Sequence, residues 1–375
     1  MFWPLMENII TEEDKLELIN FISSTDKFTN GPKVLEFERC WSDWLDCKNT
    51  LFVSSGSTAN FLLVSALKEF YGWNNQTKII VPVCTWMTNV APIIQLGMKP
   101  IFCDVNPKTF TFDVNHLNKI KEQEKHIDGI FVTHLLGLDS EVEEWKKLFP
   151  ESIIFEDVCE SHGVQSPDGS KRGSNTIGAT FSTYFGHHMT TIEGGMVCTN
   201  NDELYDLMRR KRSHGLSREG IISNKEDPSF WFTTDGYNFR NTEIGAVLGL
   251  NQLKRLDDMI NQRRENYKKF INIISKHEKK FLIPSHNSRN SSFCFPFVCH
   301  ESELKNKLLF EFEKHEIEHR PIIAGNLLKH PAFSKWKNKD YTGADLIHNN
   351  GIYIGNNHLL NETHFNKLEE VLEIL

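Results

Sequence analysis

Short apolar runs rich in Ile, Val and Phe alternate with stretches of helical periodicity through the first half of the chain, and this alternation limits the fold more than any other feature. The runs lie at 50–53, 78–83, 100–103, 129–133 and 152–155, with helical patterns at 59–70, 114–120 and 140–148 between them. Strands separated by helix-length segments build right-handed βαβ units around a mostly parallel sheet. Two more strands, at 179–183 and 196–199, complete an expected seven-stranded α/β core. Ahead of it, Thr11 followed by acids caps a helix over 11–21, and a second helix is expected over 33–45 after Asn30-Gly31-Pro32. Beyond residue 200 the texture changes. A basic amphipathic helix over 203–213 precedes a polar loop at 221–228. One long helix is then expected over 244–269, followed by an α+β mixture with a strand at 292–298 and helices at 303–315 and 364–374. The chain is accordingly divided into a large domain, 1–250, and a small C-terminal α+β domain, 251–375.

Composition excludes several classes of function. With 42 Lys and Arg against 50 Asp and Glu, the net charge is -8, the wrong sign for a nucleic-acid or membrane-surface binder. No apolar run approaches the length of a membrane span. The first residues do not read as a signal peptide, so a cytoplasmic protein is expected. The eight cysteines are scattered, with no CxxC pair, no zinc spacing and no trio for an iron–sulfur cluster, so no metal is expected.

The chemistry concentrates at turns following strands. Val53-Ser54-Ser55-Gly56-Ser57-Thr58 joins a strand to a helix. Small residues there let backbone amides approach an anion at the helix N-terminus, although the same pattern also serves as an ordinary cap. Glu156-Asp157-Val158-Cys159-Glu160 ends an apolar strand with acids, and a carboxylate at a buried strand end needs a partner. Trp86 follows another strand, as a core aromatic or as a platform for a flat ring. Asn238 and Arg240 precede the long helix, where they cap it or reach an anion, and His214 is a proton carrier or a structural histidine. The adjacent His187 and His188 point in different directions and have no third ligand at useful spacing.

Taken in order, Gly31-Pro32 with Phe37-Glu38, the turn at 55–58, the Glu156-Asp157 strand end, Glu193-Gly194-Gly195 and Gly236-Tyr237-Asn238 make nearly the whole chain resemble the DegT/DnrJ/EryC1 aminotransferases. In that family a Ser is followed five residues later by the lysine that forms a Schiff base with pyridoxal 5'-phosphate, and then by Glu-Gly-Gly. Aligned on Ser182 and on 193–195, the lysine slot falls on His187. A histidine there marks a branch of sugar 3-dehydratases, since imidazole cannot hold the aldehyde but moves protons near neutral pH. The resemblance implies an aspartate-aminotransferase-like (fold type I) architecture and a homodimer with shared active sites. It implies pyridoxal/pyridoxamine 5'-phosphate as cofactor, L-glutamate as amino donor and a nucleotide-linked 4-keto-6-deoxyhexose as substrate, GDP-4-keto-6-deoxy-D-mannose being expected. By the same resemblance Gly56, Ser57 and Ser182 hold the phosphate, joined by Asn238 of a second subunit. Trp86 stacks on the ring, Asp157 pairs with its nitrogen, Glu160 sits near its hydroxyl and His187 is the base. His214, Arg218, Arg240 and Arg320 are the candidate substrate contacts. The competing expectation is a sugar-nucleotide aminotransferase that tolerates the histidine.

Overall fold

The computed structural model describes residues 2–221, 228–337 and 340–375. Seven strands form the large sheet: β1 (Asn49–Val53), β2 (Lys78–Pro82), β3 (Lys99–Cys103), β4 (Gly129–Thr133), β5 (Ile153–Asp157), β6 (Ala179–Ser182) and β7 (Gly195–Thr199). Their spatial order is β1-β7-β6-β5-β4-β2-β3, and only β7 runs against its neighbours. The central strands are buried along almost their whole length, as a sheet covered by helices on both faces requires. Phe131 of β4 stacks on Phe155 of β5, with ring centroids 4.5 Å apart. The fold is thus the α/β class expected, with a mostly parallel seven-stranded sheet.

The helices start where the capping residues stand. Thr11 and Asp14 close a reciprocal capping box on α1 (Glu12–Ser24), and Pro32 opens α2 (Pro32–Leu45). Ser55 and Thr58 cap α3 (Gly56–Phe70) in the same reciprocal way. The single helix expected over 244–269 is instead two, Glu243–Leu253 and Leu256–Ile274. At the junction Arg255 leaves helical geometry (φ -115°, ψ 6°), and its guanidinium binds the buried Asp14 carboxylate and the Ile9 carbonyl, so a contact remote in sequence overrides local helix preference. Residue 250 lies inside the first of these two helices. The loop expected over 221–228 falls, from 222 to 227, outside the described residues.

A second sheet is antiparallel, in the order β10-β11-β9-β8, from β8 (Phe281–Leu282), β9 (Cys294–Cys299), β10 (His319–Arg320) and β11 (Gly351–Gly355). The start of the chain crosses over to it: Trp3 is fully buried, bridges to Ile317 and donates its indole N–H to the Gly355 carbonyl at 3.0 Å. Asp104, after β3, accepts from the Gly343 and Ala344 amides at 2.9 Å, which ties the large sheet to the helix Thr342–Asn350.

Candidate active site

Asp157 closes β5 and is 4 % exposed. Its Oδ2 accepts from Nδ2 of Asn60 at 2.8 Å and of Asn89 at 2.7 Å, and its Oδ1 accepts from the Cys159 amide at 2.8 Å. All three donors are neutral, and among the described residues no cation pairs with it. A buried carboxylate in this condition is a ready partner for a cationic group. The preceding Glu156 is already matched: His134 Nε2 lies 2.8 Å from its Oε2, and Thr176 donates to its other oxygen at 2.6 Å.

Asn60 places Asp157 relative to the anion-binding turn. It stands one helical turn, about 5.4 Å, beyond Gly56 on α3. Gly56 itself is wedged against β6: a Cβ added there would meet Ser182 Cβ at 2.6 Å and Cys159 Sγ at 3.1 Å. Gly195, opposite on β7, is equally confined, its own Cβ position lying 2.5 Å from the Ser55 carbonyl. Ser57 is exposed, and as the second helical residue its amide has no partner within the helix. Gly56, Ser57 and Ser182 therefore meet at one helix N-terminus, a place suited to a phosphate.

The loop between β6 and β7 carries both histidines. Thr183 and Thr191 cross-link it through their hydroxyls at 2.6 Å, and the Thr190 amide donates to Gln252 Oε1 at 2.8 Å. His187 is half-buried, and its Nδ1 lies 3.1 Å from the Ser182 carbonyl. A carbonyl only accepts, so Nδ1 carries the proton and Nε2 presents a bare lone pair. Burial pushes the His187 pKa down to about 4, so the ring is neutral at pH 7. Burial also pushes Glu160 up to about 8, with the Leu136 amide donating to its Oε2 at 2.9 Å as the opposing influence and Asp157 adding to the rise. The site thus pairs a neutral imidazole with a carboxyl that holds its proton near neutrality, a separation of protonation states suited to acid–base work.

The remaining expected residues take varied positions. Trp86 is 54 % exposed, three residues before the Asn89 that holds Asp157. Asn238 is exposed and bridges to Ser213 in a segment laid along the end of β1, where Arg240 bridges to Val53. His214, exposed and in left-handed backbone geometry (φ 65°), belongs to the same ribbon. Arg218 is exposed, lies over the Phe230 ring at 5.3 Å and donates to the Ser229 carbonyl at 2.9 Å. Arg320 pairs in register with Tyr353 of β11, whose ring lies 6.0 Å from that of Phe293. Sequence reasoning missed Asn60 and Asn89, and also the aromatic wall in which Phe293 lies 6.2 Å from the His187 ring and 6.0 Å from Tyr353. Asn60 had a local signal, a polar residue on the inner face of an apolar helix; Phe293 had none.

Among the described residues no helix is long and apolar enough to cross a membrane, and no group of three or more His, Cys, Asp or Glu could hold a metal ion. The chain is 32 % identical over 368 residues to the GDP-4-keto-6-deoxy-D-mannose 3-dehydratase of Yersinia pseudotuberculosis, covering 93 % of this chain and 92 % of that protein. The structure of an E. coli GDP-4-keto-6-deoxy-D-mannose 3-dehydratase with bound hydrated PLP superposes with a TM-score of 0.91 at 28 % identity, covering 99 % of each chain. A GDP-4-keto-6-deoxymannose 3-dehydratase structure with a trapped PLP–glutamate geminal diamine matches equally, with a TM-score of 0.91 at 28 % identity over 99 % of this chain and 100 % of that one. The family model for DegT/DnrJ/EryC1/StrS aminotransferases matches residues 9–373. The chain therefore belongs to the DegT/DnrJ/EryC1/StrS aminotransferase family.

Proposed function

We propose that the protein is a nucleotide-sugar 3-dehydratase that uses pyridoxal/pyridoxamine 5'-phosphate and L-glutamate to remove the C3 hydroxyl of GDP-4-keto-6-deoxy-D-mannose. The observation that carries this reading is His187 in the lysine slot, with Nδ1–H committed to Ser182 and Nε2 free. The cofactor fits the residues present. A buried, hydrogen-bonded carboxylate at Asp157 with no cationic partner among the described residues suits a protonated ring nitrogen, the cramped Gly56–Ser182 contact at a helix N-terminus suits a phosphate, and the exposed Trp86 indole suits a flat ring. When bound in its amine form, the cofactor supplies a nitrogen that condenses with the 4-keto group and a ring that takes up electrons.

The protein groups do the rest. His187 Nε2 would take the proton given up by the cofactor's C4′ carbon and return it to the departing C3 oxygen, the two transfers a single imidazole can serve in turn. Asp157 would hold the cofactor's ring nitrogen in its protonated form. Glu160, protonated near neutrality, donates a hydrogen bond toward the ring hydroxyl. Asn238 of a second copy completes the phosphate site. His214, Arg218, Arg240 and Arg320 are the residues we assign to the nucleotide sugar. The atoms balance with one glutamate per sugar: 2-oxoglutarate, ammonia and a 4-keto-3-deoxy sugar leave.

The reading includes a cytoplasmic homodimer acting in synthesis of a dideoxysugar such as colitose for lipopolysaccharide O-antigen, and the division at residues 1–250 and 251–375. Trp86 after β2, and Tyr184 and Ile192 between β6 and β7, are exposed apolar groups of the kind a partner surface covers, which supports the dimer. The test is mass spectrometry of products from a panel of 4-keto nucleotide sugars supplied with glutamate and cofactor. The expected product is lighter by one oxygen, with ammonia released. An amino sugar instead would make the protein an aminotransferase.

A further inference from the structure

His188 stands next to the proposed base yet is fully buried, and nothing in the reaction employs it. Its Nε2 lies 2.8 Å from the Ser291 carbonyl oxygen and 3.0 Å from the Ser291 hydroxyl. The carbonyl is an acceptor, so Nε2 carries the proton. The His188 ring packs beside the buried His162 ring, 5.2 Å away. Ser291 in turn is wedged against the turn at 135–137: its amide donates to the Gly137 carbonyl at 2.8 Å, and a Cβ on Gly137 would lie 2.0 Å from the Ser291 carbonyl oxygen. The same turn offers the Leu136 amide to Glu160 at 2.9 Å. One buried residue therefore touches both the loop that carries His187 and the turn that holds Glu160.

The neighbourhood is stiff. Asn290 Oδ1 accepts from the Asp139 amide at 3.0 Å, and Asn356 Nδ2 donates to the Ser292 carbonyl at 2.8 Å. Residues 290–292 thus form a strap pinned on both sides just before β9. The hydrogen bond to Ser182 sets the tautomer of His187 but does not by itself fix where the main chain places the ring. His188 points the other way, into the core, where Ser291 and the His162 ring hold it.

We infer that His188 is a positioning residue: through its N–H bond to Ser291 it holds His187 at a set distance from Glu160. This rests on His187 being the base of the proposed dehydration. Misplacing a reacting group by about 1 Å costs on the order of a hundredfold in rate.

The test compares His188→Phe, which keeps a ring and loses the donor, with His188→Gln, which keeps an N–H able to reach the carbonyl. Each holoenzyme is assayed with GDP-4-keto-6-deoxy-D-mannose and glutamate for kcat and KM. The rate at which diethyl pyrocarbonate labels His187 is read separately by peptide mass spectrometry, which needs no turnover. For His188→Phe, kcat falls roughly 30- to 100-fold, KM and cofactor affinity stay within about twofold, and labelling of His187 changes by at least about threefold; His188→Gln recovers most of each. A folded His188→Phe enzyme with kcat and labelling within about twofold of the parent overturns the proposal, as do Phe and Gln variants impaired alike. Should His188→Phe not fold, His188→Met takes its place under the same criteria. A parent enzyme that turns over no 4-keto sugar would sink the functional reading instead, while the labelling comparison still decides the clamp.

Discussion

Replacing Asp157 by Asn tests the buried carboxylate in two separable ways. Three donors converge on it: the Asn60 and Asn89 amides on Oδ2 and the Cys159 N–H on Oδ1. An asparagine has one acceptor oxygen and one NH2. In its better orientation the oxygen serves the two side-chain amides and the NH2 confronts the Cys159 N–H. The protein without cofactor then loses about 1–3 kcal/mol, the cost of one buried donor left unmade. The second effect falls on the cofactor. Without a lysine tether its affinity is wholly non-covalent, so losing a charge-assisted bond worth about 1.5–3 kcal/mol appears in full as roughly a tenfold to hundredfold rise in Kd. Thermal melting without cofactor reads the first effect, and equilibrium dialysis of pyridoxamine phosphate reads the second. A variant with unchanged melting and a Kd within about twofold of the parent would refute the role given to Asp157.

Other perturbations have defined outcomes. His187→Asn should lower dehydration by about 10²–10⁴-fold, as loss of an acid–base group does, and His187→Lys should abolish it while forming a cofactor adduct visible by mass after reduction. Gly56→Ala puts a methyl 2.6 Å from Ser182 Cβ, so it should cost about 1–3 kcal/mol of stability and weaken cofactor binding, read by melting and titration. In protein without cofactor, His187, lowered to about 4 from an ordinary 6.5, binds its proton more readily when unfolded, so its contribution is present above pH 6.5 and is lost as pH falls toward 4. Glu160, raised to about 8 from 4.5, works oppositely: its contribution is present below pH 4.5 and is lost as pH rises toward 8. Melting curves between these pH values should therefore show a Glu160→Gln variant losing less stability than the parent on going from pH 4.5 to 8.

The alternation of β1 through β5 with helices was legible because strand and helix periodicities are local, and the Thr11 and Ser55 caps were legible for the same reason. The break at Arg255 was not, because it depends on Asp14 and Ile9 far upstream. The site divides likewise. Gly56, Asp157, Ser182 and His187 stand at strand ends or turns, where small and polar residues interrupt apolar runs. Their supports do not: Asn60 and Asn89 reach Asp157 from 97 and 68 positions away, and Ser291 reaches His188 from 103. The protonation states of His187 and Glu160 arise from burial, which one residue's identity does not reveal.

In the proposed enzyme vitamin B6 is held without a covalent lysine bond. Purified protein loaded with pyridoxal phosphate, reduced with borohydride and digested tests it directly. No lysine peptide should carry a reduced pyridoxyl group, and dialysis should free the cofactor; a stoichiometric pyridoxyl-lysine peptide would show a covalent tether instead.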